Sequence, residues 1–253
     1  MEGKVYAVAS AVPGGGAKYT ALHLACESKK ASKKGYGDVL LIDFDFDYPY
    51  LAEAFVKEDE DHGFDGLFSM IPPLEPLARE VLMSQVTETQ IGIDVLRGTN
   101  QPGITGHVDS VHIEKIIECA KENYDTVILA IRTLPTCPAM VQTLIMCDRA
   151  VLVTEDNFTN AKTVSRALRR ISQYYASEEP IGIVYNRYQA TTKGGVSESI
   201  GKSDVPVEAL GFIVYDEKTV DHLDMLDNSK WKKKSKNKQV WADVHAKMIR
   251  RYQ

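Results

Sequence analysis

Seven short apolar runs rich in β-branched residues punctuate the chain: Val5 to Ala9, Val39 to Ile42, Ile93 to Leu96, Val127 to Ile131, Ala150 to Val153, Ile181 to Tyr185 and Leu210 to Val214. Most are continuously apolar instead of alternating, as strands buried on both faces must be. Helical patterns stand between them at Tyr19 to Lys30, His112 to Asn123, Met140 to Met146 and Asn160 to Tyr175. Parallel neighbours need a long crossover, which this order supplies. The chain is therefore predicted to be α/β, with a doubly wound, mostly parallel seven- or eight-stranded sheet and helices on both faces. Ligands of such sheets gather at the carboxyl ends of the strands.

Residues 1–228 read as one domain, and the basic segment 229–253 as a continuation of it. That last stretch holds seven Lys and two Arg against one Asp, so the net charge of −5 divides into +8 there and −13 on the remainder. The 44% apolar and 26% charged content is that of a folded, water-facing protein. No run approaches the roughly 18 apolar residues that cross a bilayer, and the opening MEGKVYAVAS lacks a signal-like apolar stretch. A cytoplasmic protein is expected. Cys26, Cys119, Cys137 and Cys147 form no C-x-x-C pair, which suits buried thiols better than a metal cluster or disulfides. The histidines show no paired-ligand spacing, and His23, within an apolar helix, reads as a packed residue. Two zones, Lys57 to Gly66 and Ala190 to Val205, read as surface excursions.

The first strand runs into Ser10-Ala11-Val12-Pro13-Gly14-Gly15-Gly16-Ala17-Lys18-Tyr19-Thr20, and a helix follows. Strand, glycine-rich turn, lysine and helix form the context of a phosphate-binding loop: backbone N–H groups curl round the anion, the lysine adds a point charge, and the helix N-terminus adds its positive end. Gly14, Gly15, Gly16, Lys18 and Thr20 are the candidate phosphate contacts.

With this loop in place, the chain resembles the deviant Walker A (MinD/ParA) P-loop ATPases over nearly its whole length. The second strand ends in Ile42-Asp43-Phe44-Asp45, similar to that family's Asp-x-Asp. Gly92-Ile93-Asp94-Val95-Leu96-Arg97-Gly98, Cys147-Asp148-Arg149-Ala150-Val151-Leu152-Val153-Thr154, Ile183-Val184-Tyr185-Asn186-Arg187 and Val205-Pro206 to Ile213 with Asp216 resemble its later landmarks in order. The resemblance implies ATP or ADP as ligand, with Asn186 at the base and Asp216 among the nucleotide-binding residues. It also implies Mg²⁺ near Thr20 and Asp43, and Asp45 as the residue positioning the attacking water. The bland reading of Asp43 and Asp45, a pair that hydrogen-bonds its own loop, stands beside this one, as do a solvated Lys18 and an Asn186 that merely closes its strand.

Departures fall on the residues that do chemistry. The glycine before the lysine is Ala17, the Mg²⁺-binding hydroxyl after it is Tyr19, and the family's second lysine, near Val12 or Pro13, is missing. The pattern Y-D-x-h-h-h-D places Ala130 at the Asp that orients the metal shell. Phosphoryl transfer rests on positioning and charge neutralisation, each preorganised donor being worth about 2.7–4 kcal/mol of barrier. The expectation is therefore a bacterial MinD/ParA-like localisation or assembly scaffold, a homodimer and a pseudo-ATPase, akin to the pilus-assembly localisation proteins of the TadZ/CpaE type. Two alternatives remain: a slow Mg²⁺-dependent ATPase using Thr20 and Asp45, and a DNA- or membrane-surface-binding protein acting through Lys230 to Lys238. The latter would place it at the nucleoid or the inner membrane face.

Overall fold

The computed structural model describes residues 2–31, 38–51, 62–101, 103–133, 136–189, 195–201, 204–215 and 237–250. In chain order the elements are β1 (Lys4–Ser10), α1 (Ala17–Ala31), β2 (Val39–Asp43), α2 (Phe64–Met70), α3 (Arg79–Met83), β3 (Thr87–Glu88), β4 (Asp94–Leu96), α4 (Ser110–Asn123), β5 (Thr126–Arg132), α5 (Pro138–Met146), β6 (Arg149–Thr154), α6 (Phe158–Tyr174), β7 (Ile181–Tyr188), α7 (Gly195–Ile200), β8 (Val207–Val214) and α8 (Lys238–Ile249). They build one eight-stranded sheet ordered β3-β4-β2-β5-β1-β6-β7-β8. Every pairing is parallel except β3 with β4. All seven apolar runs are strands of this sheet.

Why the runs are continuously apolar is visible in β1. Val5, Ala7 and Ala9 point into one buried layer, Tyr6 and Val8 into the other. A strand covered on both sides has no face to leave polar. The covering is uneven. On the Tyr6 side, α1 and α8 close the sheet with Leu22, Leu24, Trp241, Val244 and Met248. On the Val5 side the cover comes from α2 to α7, through residues such as Phe64, Leu82, Ile116, Leu144, Leu168 and Val196.

The zone from Ala190 to Val205 reads as a surface excursion by composition, yet it contains α7, whose Val196 and Ile200 are buried. Asp156, at the end of β6, makes this possible: its carboxylate accepts the N–H groups of Val196 and Ser197 at 3.0 and 3.2 Å. An N-terminal cap supplied from a distant loop leaves no local sequence signal. Three cysteines are buried and Cys137 is half-buried, all as free thiols. His23 is packed, 2% exposed, with its ring stacked on Trp241 at 4.2 Å.

The basic end is part of this core where it is described. Trp241 is 1% exposed and meets Tyr19 edge-on at 5.7 Å. Buried Arg149 donates to the carbonyls of Lys247 and Met248 at 2.6 and 3.3 Å, satisfying the last turn of α8, and pairs with Glu208 on β8. At the other end of the helix, Asn237 bonds both the N–H and the C=O of Val214, at 3.0 and 2.9 Å, as a strand neighbour would. Among the described residues no helix is long and apolar enough to cross a membrane.

Candidate functional site

The site lies where β1, β2 and β5 end. Their register puts Val8, Ala130 and Asp43 in one row across the sheet, facing α1. The next row outward pairs Ser10 with Arg132. Alternation along β5 therefore places the Ala130 methyl beside Asp43 and sends Arg132, two residues on, toward the mouth of the site.

Residues 11–16 close on themselves before α1 begins. Gly15 donates its N–H to the Val12 carbonyl at 3.1 Å, with Pro13 and Gly14 between them and Gly14 at φ +72°. Proline at the second position and a left-handed glycine at the third make a type II turn. Pro13, one of the two positions near which the resemblance leads one to expect a lysine, thus has a structural use that its dipeptide already signals. The turn is fixed from two sides: Ser10 Oγ donates to the Val12 carbonyl at 2.7 Å, and Asn186 Nδ2 donates to the Gly15 carbonyl at 3.0 Å. Gly16 sits at φ +99°, and a Cβ there would fall 2.2 Å from Asn186 Nδ2, so only glycine admits this contact. Asn186, 6% exposed, is brought to the loop backbone.

Lys18, in the first turn of α1, does not reach into solvent. Its Nζ donates to Asp43 Oδ2 at 2.9 Å and to the Tyr48 carbonyl, and lies 3.5 Å from Asp45 Oδ2. The ring of Tyr50 covers it, 4.2 Å from nitrogen to centroid. Two hydrogen-bond acceptors, a second carboxylate and an aromatic face thus surround the ammonium. Asp43 is 1% exposed and also accepts the N–H groups of Asp45 and Leu51, both at 3.1 Å. Burial outweighs Lys18 and these bonds and pushes the Asp43 carboxyl up to about 6 from 3.8.

A second cation grips the same segment. Arg132 places Nε 3.5 Å from Asp45 Oδ1, pairs with Asp47 through Nη1, and lies over the Tyr48 ring at 5.4 Å. Asp45 is thus shared between Lys18 and Arg132, while its Oδ1 also accepts the Tyr48 N–H at 3.3 Å. Two cations face three carboxylates, and the outer faces of Tyr48 and Tyr50, 62% and 51% exposed, turn to water. Arg132, Tyr48 and Tyr50 are not named by sequence reasoning. Arg132 could have been found by counting two residues on from Ala130.

Thr20 is fully buried, its Oγ1 without a hydrogen-bond partner, and its N–H donates to the Gly16 carbonyl at 2.9 Å. Tyr19 turns away from the loop to pack against His23 at 4.3 Å and Trp241. Gly14, Gly15, Gly16, Lys18, Asp43, Asp45 and Asn186 converge within this one region. Asp216 and residues 230–236 lie outside the described residues. Among the described residues no cluster of three or more His, Cys, Asp or Glu side chains could hold a metal ion.

No protein-family model and no curated protein sequence matches the chain. Solved structures do. A ParA family ATPase from Chlorobium tepidum superposes with a TM-score of 0.79 at 17% identity, over 96% of this chain and 98% of that one. The septum site-determining protein MinD of Pyrococcus horikoshii, complexed with Mg-ADP, gives 0.74 at 18% over 97% and 96%. The MinC:MinD cell division complex of Aquifex aeolicus gives 0.74 at 16% over 99% and 100%. The fold is that of the ParA/MinD P-loop ATPases.

Proposed function

We propose that the protein is a ParA/MinD-like localisation or assembly scaffold with a degenerate nucleotide site, in which ATP hydrolysis is weak or absent. One observation supports this above the rest: the cations of the site are already neutralised from within. Lys18 is paired with Asp43 and Asp45 and donates to the Tyr48 carbonyl, Arg132 is committed to Asp45 and Asp47, and carboxylates outnumber cations. A triphosphate meeting this site finds a local charge of its own sign.

Mg²⁺ fits the donor set poorly. The Ala130 methyl stands beside Asp43 where a second carboxylate would be needed, Thr20 Oγ1 is sealed under the helix, and Tyr19 is occupied in the aromatic stack. A nucleotide fits in part. The first N–H groups of α1 lack intrahelical acceptors and can meet a phosphate, with Lys18 joining them once it leaves Asp43. Mg²⁺ would supply charge neutralisation to phosphoryl transfer when bound. The partners are a second copy of this chain and proteins of a positioning, partition or assembly system.

Titration with ATP in the presence of Mg²⁺, followed by measurement of phosphate release, tests this reading. The expected result is release indistinguishable from a Lys18→Met control. Turnover at the rates of intact ParA or MinD ATPases that disappears in the control would overturn it.

A further inference from the structure

We infer that Asp45 is an autoinhibitory clasp: it holds Lys18 and Arg132 together against residues 45–50, so that an anion binding at Lys18 must release the loop that carries Tyr48 and Tyr50. The inference rests on the proposed reading of the site as a nucleotide site with impaired hydrolysis, and concerns how that site is regulated.

The Lys18 ammonium donates to Asp43 and to the Tyr48 carbonyl, has the Asp45 carboxylate in ion-pair reach at 3.5 Å, and is covered by the Tyr50 ring, so its surroundings are occupied on every one of these sides. A phosphate oxygen reaches the ammonium only if one of these neighbours withdraws. Asp43 is anchored by two backbone N–H groups in a fully buried position and cannot. Asp45, at 3.5 Å and with a 14% exposed side chain, is the acceptor free to move. Its other oxygen holds Arg132 Nε at 3.5 Å and shares the Tyr48 N–H, at 3.3 Å, with the Asp45 main-chain carbonyl at 3.2 Å, so its departure releases Arg132 and one of the two bonds that hold the Tyr48 N–H. Losing the Tyr48 carbonyl from Lys18 frees the same segment. The loop and the anion compete for one lysine, and binding of either excludes the other.

Inorganic pyrophosphate without divalent metal is the probe, since it carries the anionic groups without the base. Calorimetry compares wild type, Asp45→Ala and Lys18→Met. Removing one carboxylate within contact of the lysine is expected to raise pyrophosphate affinity by about tenfold or more, and Lys18→Met to abolish binding. Loop release is read by limited chymotrypsin cleavage at Tyr50-Leu51, the Tyr48-Pro49 bond being blocked by proline. Pyrophosphate should accelerate that cleavage in wild type, and Asp45→Ala should show fast cleavage without it. Equal affinities in wild type and Asp45→Ala, no binding by either while both keep their circular dichroism, binding retained in Lys18→Met, or binding that leaves cleavage unchanged would each overturn the inference. Rapid Mg²⁺-ATP turnover would instead refute the scaffold reading, which is measured separately by phosphate release.

Discussion

Replacing Lys18 by Met removes the charge and keeps most of the apolar stem, and its effect on stability should depend on pH in a way set by Asp43. In the wild-type protein the Asp43 carboxyl titrates at about 6 against an ordinary 3.8. The folded state therefore holds this proton more tightly than the unfolded chain, and stability falls as pH rises between about 4 and 6. At about 1.4 kcal/mol per pH unit, the loss amounts to about 3 kcal/mol and is complete above pH 6. Without the ammonium, the group that most opposes the burial of Asp43 is gone and its carboxyl climbs further. In the limit where Asp43 stays protonated to pH 8, the variant keeps losing stability across the range in which the wild type is flat, reaching about 3 kcal/mol of extra destabilisation at pH 8 and almost none at pH 5.

The bond to the Tyr48 carbonyl and the contact with the Tyr50 ring add a pH-independent loss of about 1–2 kcal/mol. Urea denaturation of both proteins at pH 5, 6.5 and 8, followed by circular dichroism, isolates the difference, because groups remote from the site cancel. Parallel stability profiles for the two proteins would refute the reasoning. They would mean that Asp43 does not depend on Lys18 for its ionisation.

Trp241→Ala should lower stability by roughly 3–5 kcal/mol in the same denaturation assay, as expected for a fully buried aromatic joining α8 to α1. Arg149→Met, which leaves Glu208 and the last carbonyls of α8 without their partner, should cost about 3 kcal/mol and raise amide exchange in that helix before the rest of the sheet. Gly16→Ala should destabilise by more than about 1 kcal/mol through its left-handed φ and its collision with Asn186. Combining it with Asn186→Ala should recover part of that loss, and strict additivity in the double-mutant cycle would argue against the contact.

Much of this was legible in the order of residues. The periodicity of the apolar runs determines a doubly wound sheet, because strands such as β1 must be apolar on both faces. The motif order places Gly14, Lys18, Asp43, Asp45 and Asn186 at its carboxyl edge. The Pro13-Gly14 turn was readable too, through the φ values those two residues prefer. Other features had no local signal. The cap that Asp156 gives to α7 joins residues 40 apart, and the bond between Asn186 and the Gly15 carbonyl spans 171. Contacts of that separation follow from the sheet register, and no window of sequence contains them.

The charge state of the site belongs to the second kind. In the sequence Lys18 is a cation at a helix start, and the absence of an acidic residue at position 130 is plain. That its Nζ is taken up by Asp43, Asp45 and the Tyr48 carbonyl, with Arg132 gripping the same loop, follows from the alignment of β2 and β5 beside the start of α1. Pattern and propensity act over a few residues and determine the elements and their partners in the sheet. Only the folded sheet decides which charges end within contact, since electrostatic interaction depends on distance and burial, which separation along the chain does not set.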